Sequence, residues 1–526
     1  MDLTAHSANQ PFSGSGSADG DELHEACGVI GLYAPGEHAA RPTFFGLYAL
    51  QHRGQESAGI AAADGLRVEV HAHMGLVAQV FHEEDLNRLP GHLAIGHTRY
   101  STTGSPRVEN AQPLRVECDL GDLALAHNGN LVNTASLRAD LAARGVQPYG
   151  STDTELIALH CALDTAPTWR ERILRVLPRL QGAFSLVLLT KDTLFAARDP
   201  MGIRPLCLGR MESGSWVVAS ESCALDTIGA TFLREVEPGE VLTIDASGVR
   251  SDKLPNIGRR ALCTFEHIYF ARPDSVIDQR LVHAVRQRMG AILAREHPVE
   301  ADLVMPVPDA ATPAAVGYAQ ASGIPYGEGL VKNRYIGRTF IQPSQKLRQG
   351  NVALKFNPLP EVLQGKRIVL VDDSIVRGTT TPRVLEILRK AGAREIHMRV
   401  TSPPMKYACY LGVDTAPTEQ LIAHRLSVEE IRQAIGADTL GYLSLAGLNE
   451  AIDLPESTLC NACFHGRYPM PVELESDKLV LERIADARST LSARATAAQA
   501  DARTADGTTN GSASTSRPVS SLLAEC

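Results

Sequence analysis

The segment at residues 367–380 constrains the fold more than any other part of the chain. Its four apolar residues at 368–371 predict a strand that is buried on both faces, as in a parallel sheet. Asp372 and Asp373 follow at the end of that strand, where open α/β sheets bind their ligands. A small, hydroxyl-rich loop then leads into an apolar pattern typical of a helix at 384–388. The segment therefore predicts an α/β domain with a ligand at this loop.

The loop has the residue types that bind a phosphate. Backbone N–H groups and Thr hydroxyls can surround a phosphate, and the N-terminus of the next helix adds partial positive charge. The candidate side chains and N–H groups are those of Ser374, Arg377, Gly378, Thr379 and Thr380. The paired carboxylates suit ribose hydroxyls and, directly or through water, Mg²⁺. A solvated acidic turn is the alternative. The whole pattern resembles the signature of type I phosphoribosyltransferases, which bind phosphoribosyl diphosphate (PRPP).

Length and composition indicate a soluble protein of two or three domains. The 526 residues exceed the size of a single core, and the 44% hydrophobic and 21% charged residues are ordinary for globular chains. A net charge of −9 argues against nucleic-acid binding. No apolar run approaches the roughly 18 residues that span a bilayer. The first 26 residues lack the features of a secretory signal. We therefore expect a cytoplasmic protein without a membrane partner.

Between its polar ends, the chain contains two regions that differ in their pattern of predicted strands and helices. Residues 27–255 alternate short strand-like runs with turns and contain two amphipathic helices, which predicts strands sandwiched with helices. In residues 256–485, predicted strands alternate with predicted helices, which is the pattern of a parallel sheet. The expected linker is 251–258. Residues 1–26 and 486–526 have the composition of disordered tails.

Cys27 opens the first predicted strand and begins a series of polar, Gly-containing motifs. A Cys at a strand start is usually a core residue. Here five motifs follow in order: Cys-Gly-Val-Ile-Gly-Leu at 27–32, Leu-Gln-His-Arg-Gly-Gln-Glu-Ser-Ala-Gly at 50–59, Gly-His-Thr-Arg-Tyr-Ser-Thr-Thr-Gly at 96–104, His-Asn-Gly-Asn at 127–130 and Ser-Thr-Asp-Thr-Glu at 151–155. Together they resemble the glutaminase domain of amidotransferases in the N-terminal nucleophile (Ntn) hydrolase family, an αββα sandwich.

This resemblance implies that the mature chain begins at Cys27 and that residues 1–26 are a propeptide. A free α-amino group, with a pKa of about 7.7–8.0, can act as the base for the thiol, whereas an acylated nitrogen cannot. The resemblance also implies that Arg99 and Asp153 bind the carboxylate and ammonium of glutamine. Asn128 and the Gly129 N–H would form the oxyanion hole. Without the resemblance, Arg99 would be read as a surface ion pair and Asn128-Gly129 as a hairpin turn.

A basic, Gly-containing segment at 331–344 precedes the acidic pair. We expect a mobile lid there, in which Lys332, Arg334 and Arg338 neutralise charge on a diphosphate leaving group. A solvated basic loop is the alternative. The segment at 264–275 resembles the one that joins the two sites in the family, and Tyr269 lies where the family has a coupling residue.

The two halves together resemble the amidophosphoribosyltransferase family over about 27–480. The resemblance implies the first committed step of de novo purine biosynthesis: glutamine is hydrolysed to ammonia, and ammonia is transferred to PRPP to give 5-phosphoribosylamine, glutamate and diphosphate. It also implies a homotetramer and purine nucleotide feedback inhibitors. One departure is Ala310-Ala311, where the family usually has Ser-Gly, so a metal or ligand contact at 310 is in question.

Two rival interpretations share parts of this pattern. A sugar-phosphate aminotransferase has the glutaminase half but would not need the Val-Asp-Asp-Ser loop at 371–374. A PRPP-sensing regulator keeps the second fold but would not need the glutaminase motifs. An assay of PRPP-dependent glutaminase activity separates the three.

Four cysteines of the second half form a candidate metal site. Cys460 and Cys463 are a Cys-x-x-Cys pair, and Cys263 and Cys409 lie in the same half. Four thiolates can bind zinc or an iron–sulfur cluster, and the ligand set alone does not choose between them. These positions match the propeptide-bearing, cluster-containing type of the family, which implies a 4Fe–4S cluster; zinc and free thiols are the alternatives. We expect the remaining upstream cysteines, Cys118, Cys161, Cys207 and Cys223, to be core residues.

Overall fold

The structure, a computed structural model, describes residues 27–100, 107–255, 258–333 and 355–472. The predicted propeptide and the predicted C-terminal tail lie outside these ranges. No helix within them is long and apolar enough to span a membrane.

The first domain consists of two antiparallel sheets. Its strands are β1 (Gly28–Tyr33), β2 (Ser57–Ala63), β3 (Val68–Met74), β4 (Leu93–Arg99), β5 (Leu114–Cys118), β6 (Gly121–Leu131), β7 (Gly182–Leu189), β8 (Leu194–Arg198), β9 (Cys207–Met211), β10 (Trp216–Ala219), β11 (Ala230–Glu235), β12 (Glu240–Asp245) and β13 (Gly248–Lys253). The strand order is β11-β9-β10-β1-β4-β2-β3 in one sheet and β13-β12-β8-β7-β6-β5 in the other. Because β13 continues to Lys253, the predicted linker begins inside a strand.

Helices cover the outer faces of both sheets. The helices are Ala40–Ala49, Val77–Val80, Glu83–Asn87, Thr134–Ala143, Asp153–Ala162, Trp169–Val176 and Ser222–Thr227, with 3₁₀ turns at Gln51–Arg53, Val108–Asn110 and Leu177–Arg179. Small and branched apolar side chains such as Val29, Ile95 and Val187 fill the space between the sheets, and separate apolar clusters join each sheet to its helices. Every residue of β1 and of β7 is buried, because these strands pack on both faces. The predicted αββα sandwich is confirmed.

The second domain is built on a parallel sheet. Its strands are β14 (Leu262–Cys263), β15 (Val276–Ile277), β16 (Arg280–Leu281), β17 (Leu303–Pro306), β18 (Leu330–Lys332), β19 (Phe356–Pro358), β20 (Arg367–Asp372), β21 (Glu395–Val400), β22 (Thr439–Tyr442) and β23 (Leu459–Cys460). The order β17-β20-β21-β22 is parallel throughout. The apolar run at 368–371 is wholly buried inside β20, as the sequence predicts.

Helices pack on both faces of this sheet. They are Val282–Glu296, Thr312–Ser322, Pro360–Leu363, Thr381–Lys390, Ile422–Arg425, Val428–Ile435, Leu445–Ile452 and Ala462–His465, with a π-helical turn at Glu266–Phe270 and 3₁₀ turns at Thr418–Gln420 and Glu456–Thr458. One apolar cluster includes Val285 and Tyr318 on one face, and another includes Leu385 and Ile431 on the other. The arrangement confirms an α/β domain and leaves the carboxyl ends of β17, β20 and β21 at one edge.

Candidate active sites

Cys27 is buried at the point where the first sheet begins. It directly precedes β1, is 6% exposed, and its Sγ donates to the carbonyl of Tyr100 at 3.3 Å. Burial raises the pKa of the Cys27 thiol, and the Tyr100 contact and the charge of Arg99 only partly oppose it. A thiol in this environment is protonated at neutral pH, so it needs a base to become a nucleophile.

Arg99 and Asp153 lie beside this thiol, and both are buried. Arg99 ends β4 and is 2% exposed, so its interpretation as a surface ion pair is wrong; its Nη1 lies 3.9 Å from a carboxylate oxygen of Glu56. Asp153 begins the helix Asp153–Ala162 and accepts the Leu131 N–H at 3.0 Å. Burial raises the pKa of Asp153, but His127 and backbone N–H groups hold it below its ordinary value. A cation and an anion therefore flank Cys27.

Asn128 and Gly129 lie in the middle of β6, where they pair with Ser185 and Phe184 of β7. The hairpin interpretation is therefore wrong. The Asn128 side chain is fully buried, and among the described residues neither its amide nitrogen nor its oxygen has a hydrogen-bond partner. A buried amide left unpaired costs about 1–3 kcal/mol, which a bound ligand could recover. A Cβ on Gly129 would lie 2.0 Å from the carbonyl oxygen of Ala183, so only glycine fits.

Backbone pairing brings these residues together. Gly28 of β1 pairs with Thr98 of β4, which fixes Cys27 beside Arg99. One residue earlier on β4, the ring Nε2 of His97 contacts the carbonyl of His127 at 3.1 Å, which connects β4 with the Asn128-Gly129 segment of β6. The four predicted glutaminase positions thus occupy one end of the sandwich.

A buried network of charges reaches from Cys27 into the second domain, and sequence reasoning missed it. The Nε of Arg53 donates to the carbonyl of Cys27 at 3.2 Å, and its guanidinium pairs with Glu221 and, at 2.7 Å, with Glu266. Glu266 also pairs with Arg204 at 3.1 Å. All four side chains are fully buried. Arg53 and Glu266 lie inside the motifs at 50–59 and 264–275, but neither motif indicates that the two side chains pair.

Tyr269 lies in the same π-helical turn as Glu266, Glu266–Phe270. It is partly buried and packs against the large apolar cluster of the second domain. The turn therefore joins the charge network of the first domain to the core of the second.

The acidic pair lies at the carboxyl edge of the parallel sheet. Asp372 ends β20, and its carbonyl and that of Asp373 accept N–H groups of Thr401 and Ser402 at 2.9 and 3.0 Å. The Ser374 hydroxyl donates to the Asp373 carboxylate at 2.8 Å. Both acids are half-buried. They are placed where a ligand could reach them from solvent.

The loop after the acids leads into the helix Thr381–Lys390, with Thr380 at its N-cap position. Gly378 has φ +72°, and a Cβ there would lie 2.4 Å from Cδ1 of Ile422. Thr379 is exposed, and Arg377 is half-buried. The predicted phosphate-binding residues therefore form one turn at a helix N-terminus.

Lys332 is at the end of β18, where its Nζ is 2.8 Å from the Asp309 carboxylate. Asp309 follows β17, whose last residue pairs with Val371 of β20, so the lysine faces the same sheet edge as the acidic pair. Ala310 and Ala311 follow Asp309 and offer no hydroxyl to this edge. Arg334 and Arg338 lie outside the described residues.

Comparisons with known proteins match both halves. A model of the glutamine amidotransferase domain matches residues 97–227, and a model of the phosphoribosyl transferase domain matches residues 278–407. The amidophosphoribosyltransferase of Synechocystis sp. is 53% identical over 490 residues, which cover 92% of this chain and 98% of the relative. That of Mycobacterium tuberculosis is 53% identical over 476 residues, with 88% and 90% covered. The chain belongs to the amidophosphoribosyltransferase family.

Solved structures agree with this assignment. A structure described as the allosteric regulatory enzyme of purine biosynthesis has a TM-score of 0.82 and 47% identity, with 86% of this chain and 98% of that chain covered. The glutamine PRPP amidotransferase from B. subtilis, complexed with ADP and GMP, has a TM-score of 0.80 and 48% identity, with the same coverage. The chain is a glutamine amidotransferase and a pentosyltransferase of purine biosynthesis, and both rival interpretations are wrong.

The four cysteines predicted as a metal site lie in one core of this amidophosphoribosyltransferase fold. Cys263 of β14 pairs in parallel register with Cys460 of β23, and Cys409 and Cys463 pack against the same cluster. The pKa of Cys263 is raised to about 11 and that of Cys460 to about 12, mainly by burial; neighbouring thiols contribute to the rise, and Arg204 partly opposes it. Every cysteine in the described ranges is a free thiol.

The described ranges contain no three His, Cys, Asp or Glu side chains close enough together to bind a single metal ion. The other predicted core cysteines, Cys161, Cys207 and Cys223, are buried, but Cys118 is only half-buried. Its strand β5 is at a sheet edge, where one side faces solvent.

Proposed function

We propose that Cys27 is the glutaminase nucleophile and that the mature enzyme begins at this residue, after removal of the propeptide 1–26. The observation that carries the proposal is the unpaired, fully buried Asn128 amide at the same end of the sandwich as the buried thiol. We propose residues 27–255 as the glutaminase domain, 256–485 as the phosphoribosyltransferase domain and 486–526 as a tail.

Arg99 would bind the α-carboxylate of glutamine, and Asp153 its α-ammonium. The free amino group of Cys27 accepts the thiol proton as Sγ attacks the amide carbon. The Asn128 side chain and the Gly129 N–H stabilise the oxyanion of the tetrahedral intermediate. The amino group returns the proton to the leaving nitrogen, so ammonia departs and a thioester remains. Water then hydrolyses the thioester to glutamate and restores the thiol.

In the second site, ammonia attacks C1 of PRPP and the C1–O bond to diphosphate breaks. Asp372 and Asp373 would hold the ribose hydroxyls and Mg²⁺, and the five loop residues 374 and 377–380 the 5-phosphate. Lys332, Arg334 and Arg338 would neutralise the departing diphosphate. Mg²⁺ usually binds through one or two carboxylates together with substrate phosphates and water, so a three-ligand protein site is not required. Tyr269 would couple the two sites.

Cys263, Cys409, Cys460 and Cys463 would hold a 4Fe–4S cluster. A zinc ion with Zn–S bonds of about 2.3 Å would hold its four sulfur atoms roughly 3.8 Å apart. Four cysteines arranged for zinc should therefore lie close enough together to bind a single metal ion. Within the described residues, the four thiols gather in one core, two of them buried and two half-buried, but without that spacing, which favours a larger cluster. The β14–β23 pairing gives the cluster a structural role, since it ties residues 459–463 to the domain core.

Three further properties belong to the same proposal. Purine nucleotides would inhibit the enzyme, because a solved relative was complexed with ADP and GMP. The enzyme would be a homotetramer, by family resemblance. It would act in the cytoplasm, since free thiols throughout the described ranges suit a reducing compartment.

Mass analysis of the purified active enzyme tests the central proposal. We expect a chain that starts at Cys27 and an activity that glutamine supports. An active enzyme that retains residues 1–26 would overturn it. Iron and acid-labile sulfide in protein purified without oxygen test the cluster, and stoichiometric zinc without iron would contradict it.

A further inference from the structure

Arg204 is a buried cation that the reaction does not use. It is fully buried, Nη1 pairs with Glu266 at 3.1 Å, and the guanidinium carbon is 5.9 Å from the centroid of the Phe270 ring. Within the part of the chain that the structure describes, its Nε and Nη2 have no hydrogen-bond partner. Leaving N–H groups of a charged side chain unpaired in a core is more unfavourable than leaving those of a neutral group unpaired. The two nitrogens therefore need an acceptor that the described residues do not supply.

These nitrogens lie among the candidate cluster ligands. The backbone N–H of Cys263 donates to the carbonyl of Ile203, the residue before Arg204, at 3.2 Å. A Cβ built on Gly412, three residues after Cys409, would be 3.2 Å from Arg204 Nε. Burial lowers the pKa of Arg204, but Cys263, Glu266 and Cys409 raise it above its ordinary value. Arg204 is thus enclosed between two cysteine-bearing segments.

A metal cluster held by four thiolates is an anion, and an anion inside an apolar core needs a cation beside it. Arg204 is a cation beside the segments that hold Cys263 and Cys409, and Glu266 is the carboxylate paired with it. We infer that Arg204 is the counter-ion of the cluster and donates Nε and Nη2 N–H groups to its sulfur atoms. This inference rests on the iron–sulfur assignment proposed above.

The same side chain connects the cluster with the glutaminase site. Arg204 binds Glu266, Glu266 binds Arg53, and Arg53 donates to the carbonyl of Cys27. The cysteine-bearing loop also touches the oxyanion segment: Asn130 Nδ2 donates to the carbonyl of Tyr410 at 2.9 Å. Arg204 therefore acts as a positioning residue between the cluster and the glutaminase site.

The test compares Arg204→Met and Arg204→Lys with the wild type, all purified without oxygen. Removing a residue around a metal site typically weakens retention 10- to 100-fold, so we expect visible absorbance of Arg204→Met to bleach in air about 10 times faster. The midpoint potential should fall, because a lost positive charge disfavours the added electron. Arg204→Lys keeps the charge but not the forked donors, so its potential should stay near that of the wild type while its bleaching is intermediate.

Arg53→Lys is the matched control, because Arg53 is equally buried and also pairs with Glu266, but its described contacts are with Glu221, Glu266 and Cys27 and not with the four candidate cluster cysteines. Its bleaching rate and potential should match those of the wild type. If Arg204→Met does not fold, the inference is tested by Arg204→Lys alone, whose absorbance should bleach faster than that of the wild type. A cluster-bearing wild type whose Arg204 variants bleach at the same rate would overturn the role of Arg204 alone. Wild-type protein without iron would overturn the cluster, and this inference with it.

Discussion

The two candidate sites differ in how completely the folded protein buries and positions their side chains before substrate binds. At the glutaminase site, Arg99, Asn128 and Asp153 are 2%, 0% and 5% exposed and lie at a strand end, inside a strand and at a helix start, respectively. At the PRPP site, Asp372 and Asp373 are half-buried at a sheet edge, and Lys332 is paired with Asp309. The first site is assembled by the core, whereas the second presents its groups to solvent.

This difference has an energetic consequence. An unpaired buried amide such as that of Asn128 is destabilising until substrate arrives, and the packed sheets around it hold it in place. Lys332 must instead exchange Asp309 for a ligand. We therefore expect substitutions in the first site to reveal a conflict between stability and function, and those in the second to affect binding with little change in stability.

Cys27→Ala should have the largest effect, because it removes the nucleophile. Glutamine-dependent synthesis of phosphoribosylamine should fall by at least about 1,000-fold, while ammonia-dependent synthesis remains. The two rates, measured on the same preparation, check this. Loss of both rates in a folded protein would contradict the division into two sites.

The double variant Asp372→Asn, Asp373→Asn should fail with either nitrogen source. Metal and ribose contacts supply several kcal/mol at such sites, which corresponds to a loss on the order of 100- to 1,000-fold. The control is the slow hydrolysis of glutamine without PRPP, which should equal the rate of the wild type measured without PRPP. Ordinary PRPP affinity, measured by titration calorimetry with Mg²⁺, would remove the acidic pair from the site.

The parts that the sequence predicted are those whose pattern comes from burial. Strands β1, β2, β4, β6, β7, β8 and β10, and the parallel strands β17, β20 and β21, were all predicted within a few residues. The four edge strands of the first domain, β3, β5, β11 and β13, were missed; its inner strands β9 and β12 and the second-domain strand β22 were missed as well, although the edge strand β17 was predicted. Edge strands face solvent on one side and carry charged residues, so their pattern is weaker.

For the candidate site residues, too, the sequence predicted only what local patterns encode. Cys27, Arg99 and Asp372 could be proposed as site residues because they lie in short local motifs. The pairs Arg53–Glu266 and Arg204–Glu266 join residues that are 213 and 62 positions apart. No local pattern predicts a partner at that separation, because tertiary packing alone brings the two charges together.

Asn128→Leu should separate activity from stability. Loss of one oxyanion-hole donor typically costs about 100- to 1,000-fold in kcat for glutamine. The free energy of unfolding should be unchanged or higher, because the unpaired amide is removed. Asn130→Leu is the matched control: Asn130 donates to the Tyr410 carbonyl, so its loss should lower stability by about 0.5–1.5 kcal/mol. Urea unfolding of both variants checks this, and a destabilised Asn128→Leu would show that the amide is satisfied in the free enzyme.

Lys332→Ala should have the smallest effect and should act on PRPP alone. The lysine is partly exposed and already paired, so its removal should raise KM for PRPP by about 10-fold, equivalent to one charge-assisted contact. KM for glutamine and the urea midpoint should not change, because the pair lies at the rim of the sheet edge. Asp309→Asn frees the same lysine, and we expect it to leave KM for PRPP equal or lower. If Asp309→Asn raised the KM for PRPP as much as Lys332→Ala, the aspartate itself would contact the substrate. The free enzyme would then already hold more of the PRPP-binding groups in place than the contrast with the glutaminase site implies.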